Sequence, residues 1–349
     1  MKITVIGAGV VGLSVAYELA SRGATVGIVD ARGVALGATH ATAGMLAPHI
    51  EAHSDALLAL GISGLALYDD FIARLRHDAR QAIDYRRTGT LQVGRSAAEA
   101  QALLESSQRL KARRTPHALL DAEGARLMEP ALGDVAGALH IPEHGYVAVP
   151  GMVSALVAAL AKRQVAVSRE QVTDPASLDA DAIVIAAGSW IGDLLPPGPT
   201  VPVRPIRGQL LHLRLRHPPA SRVLWGERCY IVPWQDGSVL VGATTEDVGF
   251  DETPTVAGVR ELLDAATELL PELATASFHE VRAGLRPATA DELPIIGPSA
   301  TMRRVFYATG HYRSGVLLSP FTASAIGDLI LEGRARPELE LVRPDRFGL

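Results

Sequence analysis

Residues 7–12, Gly-Ala-Gly-Val-Val-Gly, are the first point in the chain where residue type and spacing together specify a chemistry. Gly7 permits a tight turn, Gly9 lets backbone amides approach a pyrophosphate, and Gly12 lets a helix pack closely on a strand. The helix that follows turns its positive N-terminal end toward the same negative charge. Asp30 then offers a carboxylate at the end of the next strand, where it can accept hydrogen bonds from both ribose hydroxyls of a dinucleotide. That carboxylate would repel the extra phosphate of NADP, so FAD and NAD stay open.

These residues are positioned by a βαβ unit over residues 3–30. Ile3-Thr4-Val5-Ile6 reads as a buried strand, Val10 to Ser21 as a helix closed by Gly23, and Thr25 to Val29 as the second strand. A loop of small residues from Gly37 to Met45 lets backbone come close to a ligand. Helices are expected over about residues 63–79, 97–113 and 152–162; the second ends in Lys111, Arg113 and Arg114, where cations suit the helix dipole. The apolar run Ala182 to Ala186 predicts a parallel strand buried on both faces that returns the chain to the first lobe.

The periodicity then changes. Leu211, Leu213 and Leu215 alternate with His212, Arg214 and Arg216, which predicts an antiparallel sheet with one wet face. Short strands over 228–232, 238–242 and 278–283 belong to that sheet, with an amphipathic helix from Val259 to Leu270 between them. Val305 to Ala308 is a further strand, before a glycine-bounded loop and a helix from about Pro320 to Leu331 that ends at Gly333. An NAD enzyme usually completes a second mononucleotide half soon after the first. Elements of another character intervene here, which favours FAD.

Composition narrows the partners. A chain of 349 residues can bury two cores. With 38 Asp plus Glu against 33 Lys plus Arg, no single-signed field exists to hold nucleic acid or an anionic membrane, so a small ligand is expected. The uncharged stretch from Ile3 to Tyr17 resembles a secretory signal, but its glycines have their own structural cause and no cleavage site follows. No other apolar run approaches the roughly eighteen residues of a spanning helix. The single cysteine, Cys229, fits a reducing compartment and points to the cytoplasm. No His, Cys or carboxylate set has metal-ligand spacing along the chain, so no metal is expected.

Four further segments carry a resemblance: Ala43-Gly44-Met45-Leu46-Ala47-Pro48, Arg204-Pro205-Ile206-Arg207-Gly208-Gln209, Ala283-Gly284-Leu285-Arg286-Pro287, and Thr309-Gly310-His311-Tyr312-Arg313-Ser314-Gly315. In this order, and over essentially the whole chain, the sequence resembles the D-amino acid oxidase superfamily of FAD enzymes, and within it the bacterial glycine oxidases of thiamine biosynthesis. The resemblance implies an α/β fold with an α+β second lobe. A Rossmann-type, glutathione-reductase-like FAD-binding domain would span residues 1–80, 140–200 and 285–349, and an antiparallel-sheet substrate domain residues 81–139 and 201–284.

It also implies FAD contacts. These come from Gly7, Gly9, Val10, Val11 and Gly12, from Asp30 and Ala31, from Ala38, Thr39, Ala43, Gly44 and Met45, from the backbone of Val172, and from Gly188 and Trp190. Gly310, His311, Tyr312, Arg313, Ser314, Gly315, Val316 and Leu317 would wrap the pyrimidine end of the flavin. Cys229, beside Tyr230, is not where sarcosine oxidases attach flavin, so non-covalent FAD is implied.

Tyr230, Arg286 and Arg313 fall at the carboxylate end of the substrate in the family. The residues suit that place. Arg286, stiffened by Pro287, offers the planar fork an amino-acid carboxylate asks for, and Tyr230 adds a hydroxyl donor. Arg313 and the neighbouring amides precede a helix start, where donors meet the negative charge that collects on a reduced flavin. The competing readings are a salt bridge from Arg286 to an acid such as Asp291, and a plain half-buried sheet aromatic for Tyr230.

The implied reaction is hydride transfer from Cα of glycine, or of another small amino acid such as sarcosine, D-alanine or D-proline, to flavin N5. Hydrolysis of the imine gives a 2-oxo acid and ammonia or amine, and dioxygen as acceptor gives hydrogen peroxide; no general base is nominated. Thr245 stands where glycine oxidases carry a methionine near the substrate, which leaves the preferred amino acid open. Three other readings share the fold: a D-amino acid or hydroxyproline dehydrogenase with a non-oxygen acceptor, a flavin oxidase of a modified tRNA base, and a non-catalytic flavoprotein. The net charge of −5 argues against the tRNA reading, and Arg286, Tyr230 and Arg313 together argue against the last. The relatives' habit implies a homo-oligomer.

Overall fold

The computed structural model describes residues 1–195 and 201–349. The expected domain boundary at 200/201 adjoins residues 196–200, which lie outside the described residues.

Lys2–Ile6, β-branched from Ile3 onward, forms a central strand of a six-stranded sheet. Thr25–Asp30 and Val167–Arg169 lie on one side of it and Ala182–Ile185 and Val305–Thr309 on the other, all parallel, with Ile295–Pro298 added antiparallel at the edge. Ala182–Ile185 is buried at every residue, as a parallel strand covered on both faces must be. The helices Val10–Ser21, Val149–Ala161 and Gly315–Glu332 supply the apolar layer of the larger core.

A second sheet of eight strands runs in the order Ser277–Ala288, Arg204–Arg214, Ser238–Gly242, Tyr230–Pro233, Val223–Trp225, Thr90–Gly94, Gly137–Ile141, Ala118–Asp121. Its own core sits beneath the helix Val256–Leu269, around Leu211, Leu213, Val239, Val241 and Leu262. A small third sheet pairs Met45–Leu46 and Tyr85–Arg86 with Gly145–Val147. The strands Gly137–Ile141 and Ser277–Ala288 run straight through the expected boundaries at 139/140 and 284/285.

Several expectations change. The helix expected over 63–79 is two helices, Asp55–Ala66 and Tyr68–Ala79, bent by 40° at Leu67. Gly61 and Gly64 lie so close to Pro48 and the Leu317 carbonyl that a Cβ would stand 2.8 and 2.7 Å away, so this contact fixes the first helix's path. The last long helix begins at Gly315, with Pro320 inside it. Proline leaves the Val316 carbonyl without its helical donor, and the Tyr68 hydroxyl fills that place at 2.6 Å, with Ser319 Oγ at 2.9 Å.

That helix also meets the length and hydropathy of a membrane span, contrary to expectation, but 72% of its window is buried in the fold, which makes it a core helix. The wet face expected along Ile206 to Arg216 is covered as well: Arg204–Arg214 is buried except at its ends, and His212 packs edge-on against Trp234 and His279. Finally, folding gathers two sets of metal-ligating groups that no spacing along the chain announces, His49 with Glu143 and His144, and His212 with His279 and Glu280.

Candidate active site

The glycine motif forms the turn its residue types demand. Gly7 has a φ of +114°, and a Cβ there would lie 2.4 Å from the Ala186 carbonyl oxygen. A Cβ at Gly12 would lie 2.0 Å from the Gly7 oxygen, so this glycine seats the helix on the strand. The Asp30 carboxylate accepts from Ala8 N at 2.7 Å and from Arg32 N and Gly33 N at 2.8 Å. Val10 N donates to Thr39 Oγ1 at 3.0 Å, tying the small-residue loop to the helix start. The first-turn amides of Val10–Ser21 therefore open on a concave surface with no acidic residue in that turn.

That surface is one end of a continuous cavity of about 590 Å³. Among the sequence-predicted residues, Gly7, Gly9, Val10, Val11, Asp30, Ala31, Ala38, Thr39, Ala43, Gly44, Met45, Val172, Gly188 and Trp190 line it. His311, Tyr312, Arg313, Gly315 and Val316 close the far side, with Tyr230 and Arg286. Four predicted contacts do not reach the wall. Gly12 is taken up between helix and strand, Gly310 turns against Thr289, Ser314 is the buried cap of Gly315–Glu332, and Leu317 packs into the core beside Gly61 and Gly64.

These features fit FAD. A dinucleotide needs backbone amides at a helix N-terminus, an acceptor for ribose and a cavity of this size, and all three belong to one space. Cys229 lines the same cavity, and burial pushes its thiol up to about 12, so it is held as the unreactive thiol.

The other end of the cavity is cationic. Arg286 comes off the strand Ser277–Ala288 half-buried, and its guanidinium donates to the Thr244 carbonyl at 3.0 Å and to the Arg207 carbonyl at 3.4 Å. Among the described residues no carboxylate lies within 4 Å of it. Asp291, the competing partner considered from sequence, pairs with Arg346 at 2.8 Å. Arg207, one strand over, is committed to Glu246 and Asp251 at 2.6 Å each, which leaves Arg286 as the buried-end cation facing open space. Burial lowers its pKa, with nearby Tyr230 opposing.

Burial also pushes the Tyr230 phenol up to about 12, which keeps the hydroxyl a donor. Arg313 is exposed, stacks on Tyr312 with 5.1 Å to the ring centroid, and donates to Thr245 Oγ1 at 3.3 Å. His311 is buried, its Nε2 lies 2.9 Å from Thr322 Oγ1, and desolvation drops its pKa to about 3. It is a neutral packing partner at any working pH.

Sequence reasoning missed Glu51. This carboxylate lines the cavity from the four-residue helix Pro48–Glu51, and burial raises its pKa to about 7 against the pull of Arg313 and Arg286. The segment Ala43 to Pro48 was the signal that could have led to it, since Glu51 lies just beyond. Also missed were Trp225, Gly242, Ala243 and Pro287 along the same wall.

Residues 2–329 match the family model described as DAO, FAD dependent oxidoreductase. The bifunctional protein ThiO/ThiG of Trichormus variabilis is 35% identical over 99% of this chain and 55% of its own length, so the chain spans about half of such bifunctional relatives. The glycine oxidase of Geobacillus kaustophilus is 31% identical, covering 94% of this chain and 92% of that protein. A crystal structure of glycine oxidase from Geobacillus kaustophilus aligns with a TM-score of 0.92 at 30% identity over 98% of this chain and 97% of that one. Iminodiacetate oxidase from Chelativorans sp. BNC1 aligns with a TM-score of 0.89 at 29% identity over 98% of both chains. With a dinucleotide turn and Arg286 lining one cavity, and with matches that run the length of the chain, the protein belongs to the DAO family of FAD-dependent oxidoreductases, of the glycine oxidase type.

Proposed function

We propose that the protein oxidises glycine or another small amino acid at its C–N bond, with dioxygen as the acceptor. The observation that carries this reading is Arg286, a half-buried guanidinium that among the described residues is bonded only to backbone carbonyls and lines the cavity that starts at the dinucleotide motif. Two of its N–H groups are free to grip a carboxylate as a fork, a geometry a lysine does not provide. Tyr230 donates its hydroxyl to the same carboxylate. Glu51, ionised above about pH 7, faces the substrate's ammonium and takes up its proton, which leaves the amine neutral as oxidation requires.

Bound FAD supplies the two-electron acceptor; the chain's residues supply grip and orientation. Holding the α-carbon in a fixed pose by its carboxylate is the main contribution asked of them. The imine that leaves the site hydrolyses to a 2-oxo acid and ammonia or amine, and peroxide is the second product. Arg313 is a further cation without a carboxylate partner among the described residues, so a secondary amine bearing two carboxylates belongs among the substrates tried. A peroxidase-coupled assay with glycine, sarcosine, D-alanine, D-proline and iminodiacetate tests the reading: peroxide release with one or more of them is expected, and none with any of them counts against it.

A further inference from the structure

The short helix Pro48–Glu51 faces two ways. Glu51 lines the cavity, whereas His49 meets the turn between the strands Gly137–Ile141 and Gly145–Val147. There His49 Nδ1 lies 3.0 Å from His144 Nε2 and 3.2 Å from Glu143 Oε1, with the two imidazoles stacked at 5.3 Å. His144 is fully buried and the His49 side chain is 3% exposed, while Glu143 at 36% leaves one side open to solvent. The turn is held independently of these rings: Arg87 Nε donates to the Glu143 carbonyl at 2.7 Å, and Gly89 N to the His144 carbonyl at 2.9 Å.

Three lone pairs converge here with too few protons to separate them. If His49 Nδ1 carries its ring's proton, that one N–H faces two acceptors. If it does not, it opposes the Glu143 carboxylate as a second acceptor, and His144 must supply the only hydrogen. A divalent cation bonded to all three donors removes the conflict, and neutral imidazoles with one carboxylate are the ligand forms it needs.

We propose that His49, Glu143 and His144 form a zinc site, with water completing the coordination on the solvent side. Donors around a tetrahedral zinc with bonds of about 2.0–2.1 Å stand roughly 3.3 Å apart, close to the 3.0 and 3.2 Å that separate His49 Nδ1 from the other two donors, and all three lie within 4.8 Å of one another. Two imidazoles and a carboxylate match zinc better than the all-oxygen cations. The second cluster lacks this character: Arg282 sits among His212 and Glu280, bonded to Glu280 from Nε at 2.9 Å and 3.2 Å from His212 Nδ1, so a cation already answers those groups. Zinc at the first cluster clips the helix that carries Glu51 to a turn 94 residues further along (His49 to Glu143, 143 − 49).

Flavin-loaded protein, stripped with a chelator and then dialysed with zinc chloride, tests the site. One zinc per chain is expected by elemental analysis, and His144→Asn should weaken zinc binding by about 100-fold or more while the flavin spectrum reports an intact fold. Zinc-edge X-ray absorption on the unsubstituted protein requires no variant, and should show two imidazoles in the first coordination sphere. Failure to retain zinc, retention at full affinity in flavin-loaded His144→Asn, or an absorption spectrum without imidazole scattering would each overturn the proposal. If His144→Asn loses its flavin, the absorption spectrum alone decides.

Discussion

A Cβ placed on Gly208 would stand 2.2 Å from Nη2 of Arg286 and 2.3 Å from its Cζ. The two residues lie on adjacent antiparallel strands, Arg204–Arg214 and Ser277–Ala288, in a register that pairs Ile206 with Arg286 and Gly208 with Gly284. The guanidinium thus crosses the sheet over a glycine, and only a glycine leaves that path open. Gly208→Ala is expected to displace the fork by about an ångström and to cost roughly 100-fold in kcat/KM, mostly through KM, with flavin content unchanged. Steady-state kinetics on flavin-loaded protein check this, and a KM like that of the parent protein would show that the fork does not need its observed position.

Arg286→Leu removes the cation altogether. Loss of a charge-assisted, two-pronged contact with a carboxylate is expected to cost about 3–5 kcal/mol, or roughly three orders of magnitude in kcat/KM. Arg286→Lys should recover only a small part, because a point charge cannot reproduce the fork. Flavin binding should survive both, since the hydrogen bonds of Arg286 go to the Arg207 and Thr244 carbonyls and not to Asp30 or the glycine turn. Flavin absorbance and turnover measured on the same samples separate the two roles.

The nucleotide end was legible in the sequence because its causes are local. A strand, a glycine turn, a helix and a terminal acid follow one another within 30 residues, and each is dictated by its own side chains. Arg286 was implied by the family resemblance, which its place at a strand end beside Pro287 suits, but its freedom from Asp291 was not legible, because that depends on Arg346 from the C-terminal segment. Glu51 stayed hidden because tertiary packing, and no long hydrophobic period, makes the four-residue helix that presents it. The strands Thr90–Gly94 and Gly137–Ile141 carry too few residues to declare a period, and the start of Gly315–Glu332 was masked by Pro320, whose cost is met by Tyr68 from a distant helix. His49 and His144 meet only because the turn between Gly137–Ile141 and Gly145–Val147, strands of two different sheets, lies against the Pro48–Glu51 helix.

Asp30 does two things. It is placed for ribose, and its carboxylate already holds the glycine turn through Ala8 N and the following loop through Arg32 N and Gly33 N. Asp30→Asn leaves one oxygen for these amides and turns an NH2 toward the others. Hydrogen bonds to an ionised group contribute about 1.5–3 kcal/mol each, so the substitution should lower flavin affinity at least tenfold and also lower the Tm of the flavin-free protein by several degrees. Calorimetry of the flavin-free protein makes the distinction: an unchanged Tm would mean that Asp30 serves the ligand alone.

Glu51 sets a pH dependence. Its pKa is raised to about 7 from an ordinary value of 4.5, so the native chain binds this proton more tightly than the unfolded chain does. Stability from this group is therefore present below pH 4.5 and is lost as pH rises through about 7. For function the sign reverses: the carboxylate that faces the ammonium appears as pH rises through the same range. KM should fall from pH 6 to 8 in the parent protein, roughly following one ionisation, and this step should be absent in Glu51→Gln. A step that persists in Glu51→Gln would assign the ionisation to another group.

The most direct test of an FAD-dependent amino-acid oxidase is the visible spectrum of the purified protein, recorded without air before and after addition of glycine, sarcosine, D-alanine, D-proline or iminodiacetate. Loss of the flavin band with at least one of them, followed by its return and peroxide release when air is admitted, is the expected result. A bleached band that does not return in air would move the activity to another electron acceptor, and a flavin band that none of these compounds bleaches would contradict amino-acid oxidation by this site.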